Sequence, residues 1–525
     1  MKTLIKNGFI VDGTGSPGFV GAVVIENDRI AGVFHAQEAG FEDGAFDCVY
    51  DAGGSVVSPG FIDAHSHSDA YLVIEPDAPS KLSQGITTEI NGQCGGSVAP
   101  RYGEARLSGD WAEVLGDRLN WRSLAEYRET LAQAKPSINT VQFIGHNTLR
   151  SSVIGYAGRP AAAEELERMK SLLARELDDG GWGLTTGLIY QPGKYSDDAE
   201  VLALAKTAAE RGGFYATHMR SEGDRLLESI DEVIELVKAT GIRAEISHLK
   251  TSGERNWCKI DAVLEKMQTA VDSGLLLGAD RYPFCAAGTD LDVVFPDWAG
   301  EGGAKAECVR LADSAQRRRI IDELNASGRD WSTVMIGGTW SQCTKEFSGH
   351  TIAEIVAGQS GKSVGEVVCD ILTHDRCLTG AFFSGMSESN MKRILAQPWT
   401  VPGSDASLRA PWGVLGQDHP HPRAYGTMPE YFRIMRESGF SLEATVARMT
   451  SFPARRFEIS NRGLLAPGAY ADVSVWKMNE FINTSSYADS HSFCSGMERV
   501  FVNGAIAFDR GVFTHSGTGR FLDRG

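Results

Sequence analysis

The segment Ser58-Pro59-Gly60-Phe61-Ile62-Asp63-Ala64-His65-Ser66-His67 ends an apolar run with His-x-His. In an extended strand, residues i and i+2 point the same way, so both imidazoles can face one cation. A bare His-x-His is more often a chance pair, but the Pro-Gly-Phe-Ile-Asp lead makes this one specific. Two more histidines close strand-like runs. His218 follows Phe214-Tyr215-Ala216-Thr217, and His248 follows Arg243-Ala244-Glu245-Ile246-Ser247. One strand–helix–strand unit separates them, so neighbouring strands would bring both rings to the same end of a sheet. Cys94, in Asn91-Gly92-Gln93-Cys94-Gly95-Gly96, follows a strand-like run as well. A free cysteine is commonly a small packing residue; as a thiolate it binds zinc strongly, and sulfur can bridge two ions. Asp405, in Val401-Pro402-Gly403-Ser404-Asp405, reads alone as a turn or a helix cap. At the end of a last barrel strand it would hold a metal and take a proton from water.

These residues need a scaffold that gathers strand ends. From about 59 to 455, strand patterns alternate with helical ones such as Leu226-Leu227-Glu228-Ser229-Ile230-Asp231-Glu232-Val233-Ile234. That alternation predicts a TIM-like (β/α)8 barrel, whose catalytic mouth lies at the C-terminal ends of its strands. A doubly wound sheet is the competing layout. Residues 1–58 and 456–525 read as strands, so both termini are expected to build one small β-sandwich domain. In the first of these segments, Asn7-Gly8 and Glu26-Asn27-Asp28 look like hairpin turns. The stretch from about 286 to 345, with Trp298, Trp331 and Trp340, breaks the alternation and is expected to be an insertion over the mouth.

The chain has 525 residues and a formal net charge of -17, which argues against nucleic acid or an anionic membrane as main partner. It shows no signal-peptide pattern and no apolar run of about 18 residues. A soluble, cytoplasmic protein is the expectation. The nine cysteines are odd in number and lack CxxC pairs, which suits reduced thiols.

Taken together, the motifs resemble the amidohydrolase superfamily, and within it the D-aminoacylase (N-acyl-D-amino-acid deacylase) group. The resemblance runs collinearly through the Pro59–His67 motif, Asn91-Gly92-Gln93-Cys94-Gly95, Thr217-His218-Met219-Arg220-Ser221-Glu222, Glu245-Ile246-Ser247-His248-Leu249-Lys250, Gly403-Ser404-Asp405 and His421-Pro422-Arg423. It implies a zinc enzyme that hydrolyses N-acyl-D-amino acids, small molecules, to a carboxylic acid and a free D-amino acid. By that resemblance Cys94, His218 and His248 hold a tight zinc, and His65, His67 and Asp405 line a second, weaker position. Asp405 is the expected general base, and His67 touches the developing oxyanion. Lys250, Tyr282 and Arg423 are expected to read the substrate α-carboxylate, as an ammonium, a phenol and a guanidinium fork suit a carboxylate. The sequence departs from the group in two places. Phe284-Cys285-Ala286-Ala287-Gly288-Thr289 lacks a carboxylate-binding serine, for which Thr289 would substitute, and 406–422 is long. The rival readings are a cyclic-amide hydrolase of the hydantoinase or dihydroorotase type, which Cys94 in place of a bridging lysine disfavours, and an inactive barrel used as an assembly scaffold.

Overall fold

A computed structural model describes residues 1–38, 40–107 and 111–524. The N-terminal strands are β1 (Lys2–Ile10), β2 (Phe19–Glu26), β3 (Arg29–His35), β4 (Cys48–Asp51) and β5 (Val56–Pro59). The central strands are β6 (Phe61–Asp63), β7 (Ile86–Asn91), β8 (Asn139–Gln142), β9 (Ile144–Gly145), β10 (Gly183–Gly187), β11 (Phe214–His218), β12 (Arg243–Ile246) and β13 (Leu277–Arg281). They are followed by β14 (Ala286–Asp290), β15 (Val334–Ile336), β16 (Gly380–Ser384) and β17 (Thr400–Pro402), and the C-terminal part adds β18 (Val473–Trp476), β19 (Met497–Val502), β20 (Ala505–Asp509) and β21 (Val512–Phe513).

The barrel runs β6-β7-β8/β9-β10-β11-β12-β13-β17, every pair parallel. Strands β8 and β9 are one strand interrupted at Phe143, whose N–H turns to Asn91 O, 2.9 Å away. Backbone bonds from Ala64 N–H to Pro402 O (3.2 Å) and from Asp405 N–H to His65 O (2.8 Å) join the last strand to the first. Strands such as β7 and β11 are buried along their whole length, which is why they read as continuous rather than alternating runs. The helix Leu226–Thr240 buries Leu226, Ile230, Val233, Ile234 and Val237 on one face, and Gly241, at φ 67°, ends it by the usual left-handed cap. Inside the barrel, Phe143, Trp182, Phe214 and Phe457 pack together as a floor, so the lower half is solid core. The site above it can form only at the mouth.

The terminal strands form one nine-stranded sheet, folded into the β-sandwich, in which β18 pairs with β5. Asn7-Gly8 is not a hairpin turn. β1 runs straight through it, with a register shift at that point and Asn7 at φ 57°. Gly8 is needed there for closeness rather than for turning, because a Cβ would stand 2.4 Å from Val57 Cγ2. The excursion expected over about 286–345 continues to Ser384. Its strands make a separate antiparallel sheet, β14-β16-β15, and its helices, including Ser314–Ala326 and Val364–His374, close over a core of their own. Those helices are amphipathic like barrel helices, and only the surface they cover distinguishes them. The tail leaves the sandwich: Arg520 and Leu522 exchange backbone bonds with Thr140 of β8. Among the described residues no helix is long and apolar enough to cross a membrane.

Candidate metal centre

Five barrel strands deliver side chains to the mouth. His65 and His67 follow β6, Cys94 follows β7, His218 ends β11, His248 follows β12 and Asp405 follows β17. Cys94 (φ 52°), His248 (φ 37°) and Asp405 (φ 51°) all sit in the left-handed region. For a residue with a Cβ this conformation costs of order 1–3 kcal/mol and persists only where neighbours enforce it. Here it turns each chain sharply after its strand, so the side chain aims across the barrel axis.

The ligand atoms fall into two groups that share one sulfur. His65, His67, Cys94 and Asp405 each offer an atom within 4.8 Å of the others, and so do Cys94, His218 and His248. Cys94 Sγ is 3.4 Å from His65 Nε2 and 3.3 Å from His248 Nε2. Burial opposes ionisation of this thiol, but the charges of His248 and His65 outweigh it and hold Cys94 well below its ordinary range. Burial likewise opposes the Asp405 carboxylate, and Arg423 and His248 overcome that to keep it ionised far below the usual value. Asp405 Oδ1 lies 3.0 Å from His67 Nε2 and 3.3 Å from His65 Nε2. His218 is buried, yet neither of its ring nitrogens has a hydrogen-bond partner. A buried imidazole with no hydrogen bond, its Nε2 3.5 Å from Glu222 Oε2, beside a thiolate and a second imidazole is a donor set suited to zinc, which takes nitrogen and sulfur ligands.

Two carboxylates that the sequence reading passed over orient these rings. Asp280, on β13, sets Oδ2 3.0 Å from His65 Nδ1 and accepts the main-chain N–H of His248 at 2.8 Å. Glu222 Oε1 is 2.8 Å from His248 Nδ1 and also holds Lys250. Carboxylates on the far nitrogen of a ligating histidine fix its tautomer and basicity. Glu222 had a signal, four residues past His218; Asp280 had none, because its role depends on two loops remote in sequence.

The residues expected to read a carboxylate lie beside this group. Arg423, at the start of the helix Arg423–Glu437, donates to Asp405 Oδ2 (2.7 Å) and to Gly288 O (3.2 Å), and its guanidinium stacks 4.7 Å from the Tyr282 ring centre. The Tyr282 hydroxyl and Arg423 Nε are buried without partners. Lys250 Nζ is 2.8 Å from His248 Nδ1. The Thr289 hydroxyl is directed at Tyr190 OH, 3.4 Å away, and the Tyr190 ring packs edge-on against His218 at 4.9 Å. The long 406–422 segment is anchored by Arg409, which pairs with Asp418 and stacks on Tyr71.

A model described as "Amidohydrolase family" matches residues 48–508. The chain belongs to the amidohydrolase family. Among members, it is 33% identical to an N-acyl-D-glutamate deacylase of Alcaligenes xylosoxydans xylosoxydans, over 100% of this chain and 97% of that one. It is 30% identical to a D-aminoacylase of the same organism, over 99% and 97%. Among solved amidohydrolase structures, the N-acyl-D-glutamate deacylase from Bordetella bronchiseptica, complexed with zinc and a phosphonate mimic of the tetrahedral intermediate, superposes with a TM-score of 0.82 at 31% identity, covering 100% and 99% of the two chains. A D-aminoacylase whose binuclear metal centre has been described superposes at 0.81 and 30%, covering 99% of each. An L-hydantoinase from Arthrobacter aurescens, at 16% identity and a TM-score of 0.57, shares the fold. This chain is thus a metal-dependent amidohydrolase.

Proposed function

We propose that this amidohydrolase cleaves the amide bond of N-acyl-D-amino acids, with a tight zinc on Cys94, His218 and His248 and a weaker position bounded by His65, His67 and Asp405. The observation that carries the reading is one arrangement: a thiolate shared by two donor groups, with a buried phenol and guanidinium nitrogen left unpaired next to it. The first half suits hydrolysis. The second half suits a substrate that brings its own carboxylate. The names of the full-length relatives, deacylases of N-acyl-D-amino acids, support the same substrate class and the D configuration.

A bound zinc would supply Lewis acidity toward the acyl carbonyl and bring the pKa of water toward neutrality. Asp405, ionised and bonded to Arg423, is placed to take the proton of the attacking water and return it to the leaving nitrogen. His67, 3.0 Å from the same carboxylate, donates to the developing oxyanion. Tyr282, Arg423 and Lys250 bind the α-carboxylate and hold the amide in place. The cyclic-amide alternative rests on fold likeness and a short local match to a dihydroorotase, and the bridging position is a cysteine.

The test is a panel of N-acetyl D- and L-amino acids with acidic and neutral side chains, alongside hydantoins and dihydroorotate. Free amine release is followed, and zinc per chain is measured before and after chelation. Turnover of D-substrates that is lost on chelation and restored by zinc is expected; turnover of the cyclic amides alone would overturn the reading. Tyr282→Phe isolates the carboxylate contact. A hydrogen bond to a charged group is worth about 1.5–3 kcal/mol, so KM should rise about tenfold or more with kcat nearly unchanged. Because the hydroxyl has no partner in the free protein, the thermal midpoint should not fall. An unchanged KM would remove Tyr282 from binding.

A further inference from the structure

Beneath the mouth lies a closed polar island centred on Lys81. Its ammonium is fully buried, and its three N–H groups are shared among Asp63 Oδ2 (2.7 Å), Ser66 Oγ (3.0 Å), Ser404 Oγ (3.1 Å) and Ala406 O (2.9 Å), with Glu89 Oε2 at 3.6 Å. Asp63 in turn accepts the Ser404 N–H (2.7 Å) and hydroxyl (2.6 Å). Glu89 accepts from Ser66 (2.8 Å), Ser68 (2.6 Å) and Asn91 (3.0 Å). Every hydrogen-bonding group of the island is engaged within the protein, so it offers no place for a ligand. Its members interleave with the metal-site residues along the chain. Ser66 and Ser68 flank His67, and Ser404 and Ala406 flank Asp405.

We infer that Lys81, through Asp63 and Ser404, is the positioning residue that holds Asp405 in its left-handed conformation and so sets the aim of the carboxylate. Three features support this. The residues on both sides of Asp405 are gripped by the same ammonium, while its own N–H is fixed to His65 O. Aspartate reaches the left-handed region more readily than most residues with a Cβ, yet at a buried strand end the turn persists where neighbours hold it. A buried ammonium is retained only where its protons are all met, and here it is met by the ends of β6 and β17 together, where the barrel closes. The activity arm of the test rests on the deacylase reading; the structural arm does not.

The experiment compares Lys81→Met and Ser404→Ala with the wild-type zinc enzyme, by steady-state kinetics and by crystal structures. Ser404→Ala removes one hydroxyl and decides the matter if Lys81→Met fails to fold. The expected result is a kcat lower by about 10- to 100-fold, the range seen when groups that orient metal ligands are lost. KM should stay within twofold, zinc on the Cys94 side should be retained, and Asp405 should move out of the left-handed region. A kcat within twofold of wild type, or Asp405 still near its present φ, overturns the inference; so does loss of zinc and fold in Ser404→Ala, which would mark the island as merely structural. If the wild-type enzyme shows no deacylase activity, the proposed function fails, and the Asp405 backbone in the variants still judges this inference.

Discussion

Asp405→Asn is expected to keep zinc on Cys94, His218 and His248 while lowering kcat about a thousandfold, within the 10²–10⁴ range of general base catalysis. The substitution preserves shape but removes the negative charge. Oδ1 and Oδ2 now accept from His67 and Arg423 at 3.0 and 2.7 Å, and an amide can serve only one of these two sides as acceptor. The proton of the attacking water then has no destination. Arg423 loses its counter-charge and becomes freer to hold the substrate carboxylate, so KM should stay level or fall. Kinetics with metal analysis on the same sample separates the two effects. A kcat within tenfold of wild type would remove Asp405 from the base role; loss of zinc on the Cys94 side would mean that it acts mainly as a ligand.

The second large effect is expected at Cys94. Cys94→Ala should lower zinc affinity by about a hundredfold or more, since even residues that merely orient metal ligands cost 10–100-fold. Turnover without added zinc should disappear. Cys94 belongs to both donor groups, so its loss leaves two imidazoles on one side and His65, His67 and Asp405 on the other. It is also the thiolate toward which His65 and His248 turn their Nε2 atoms. Cys94→Ser keeps the volume and should bind zinc more weakly than wild type, because an alkoxide forms far less readily than a thiolate. Zinc content measured after passage over a chelating column checks both variants. A full equivalent in Cys94→Ala would show that the histidines hold the metal without the sulfur.

The candidate ligands were legible because each lies in a short local pattern. His65 and His67 share a strand-end motif, while Cys94, His218, His248 and Asp405 each close an apolar run. The barrel could be read for a similar reason, as a periodicity that repeats over some 400 residues. What stayed hidden depends on partners distant along the chain. Asp280 matters because β13 lies beside β12, where it meets both His65 and His248. Lys81 is an unremarkable lysine in Pro79-Ser80-Lys81-Leu82 until β6 and β17 close around it. The same holds for misread elements. Asn7-Gly8 has the composition of a turn, but β1 passes straight through, supported by β2, β4 and β5. Helices of the excursion carry the same apolar spacing as barrel helices, and only the surface they cover tells them apart.

By itself, then, the sequence determined which chemical groups this protein can bring to a reaction, the alternating architecture that carries them, and the order in which they arrive at strand ends. The tertiary structure decided how those groups face one another: that one sulfur serves two donor groups, that Asp405 and Arg423 are paired, and that three ligand-bearing residues are held in left-handed turns. Side-chain type and period are local properties that a chain displays in its own order. Mutual distance, burial and the charge state they impose arise only when remote segments share one low-dielectric space.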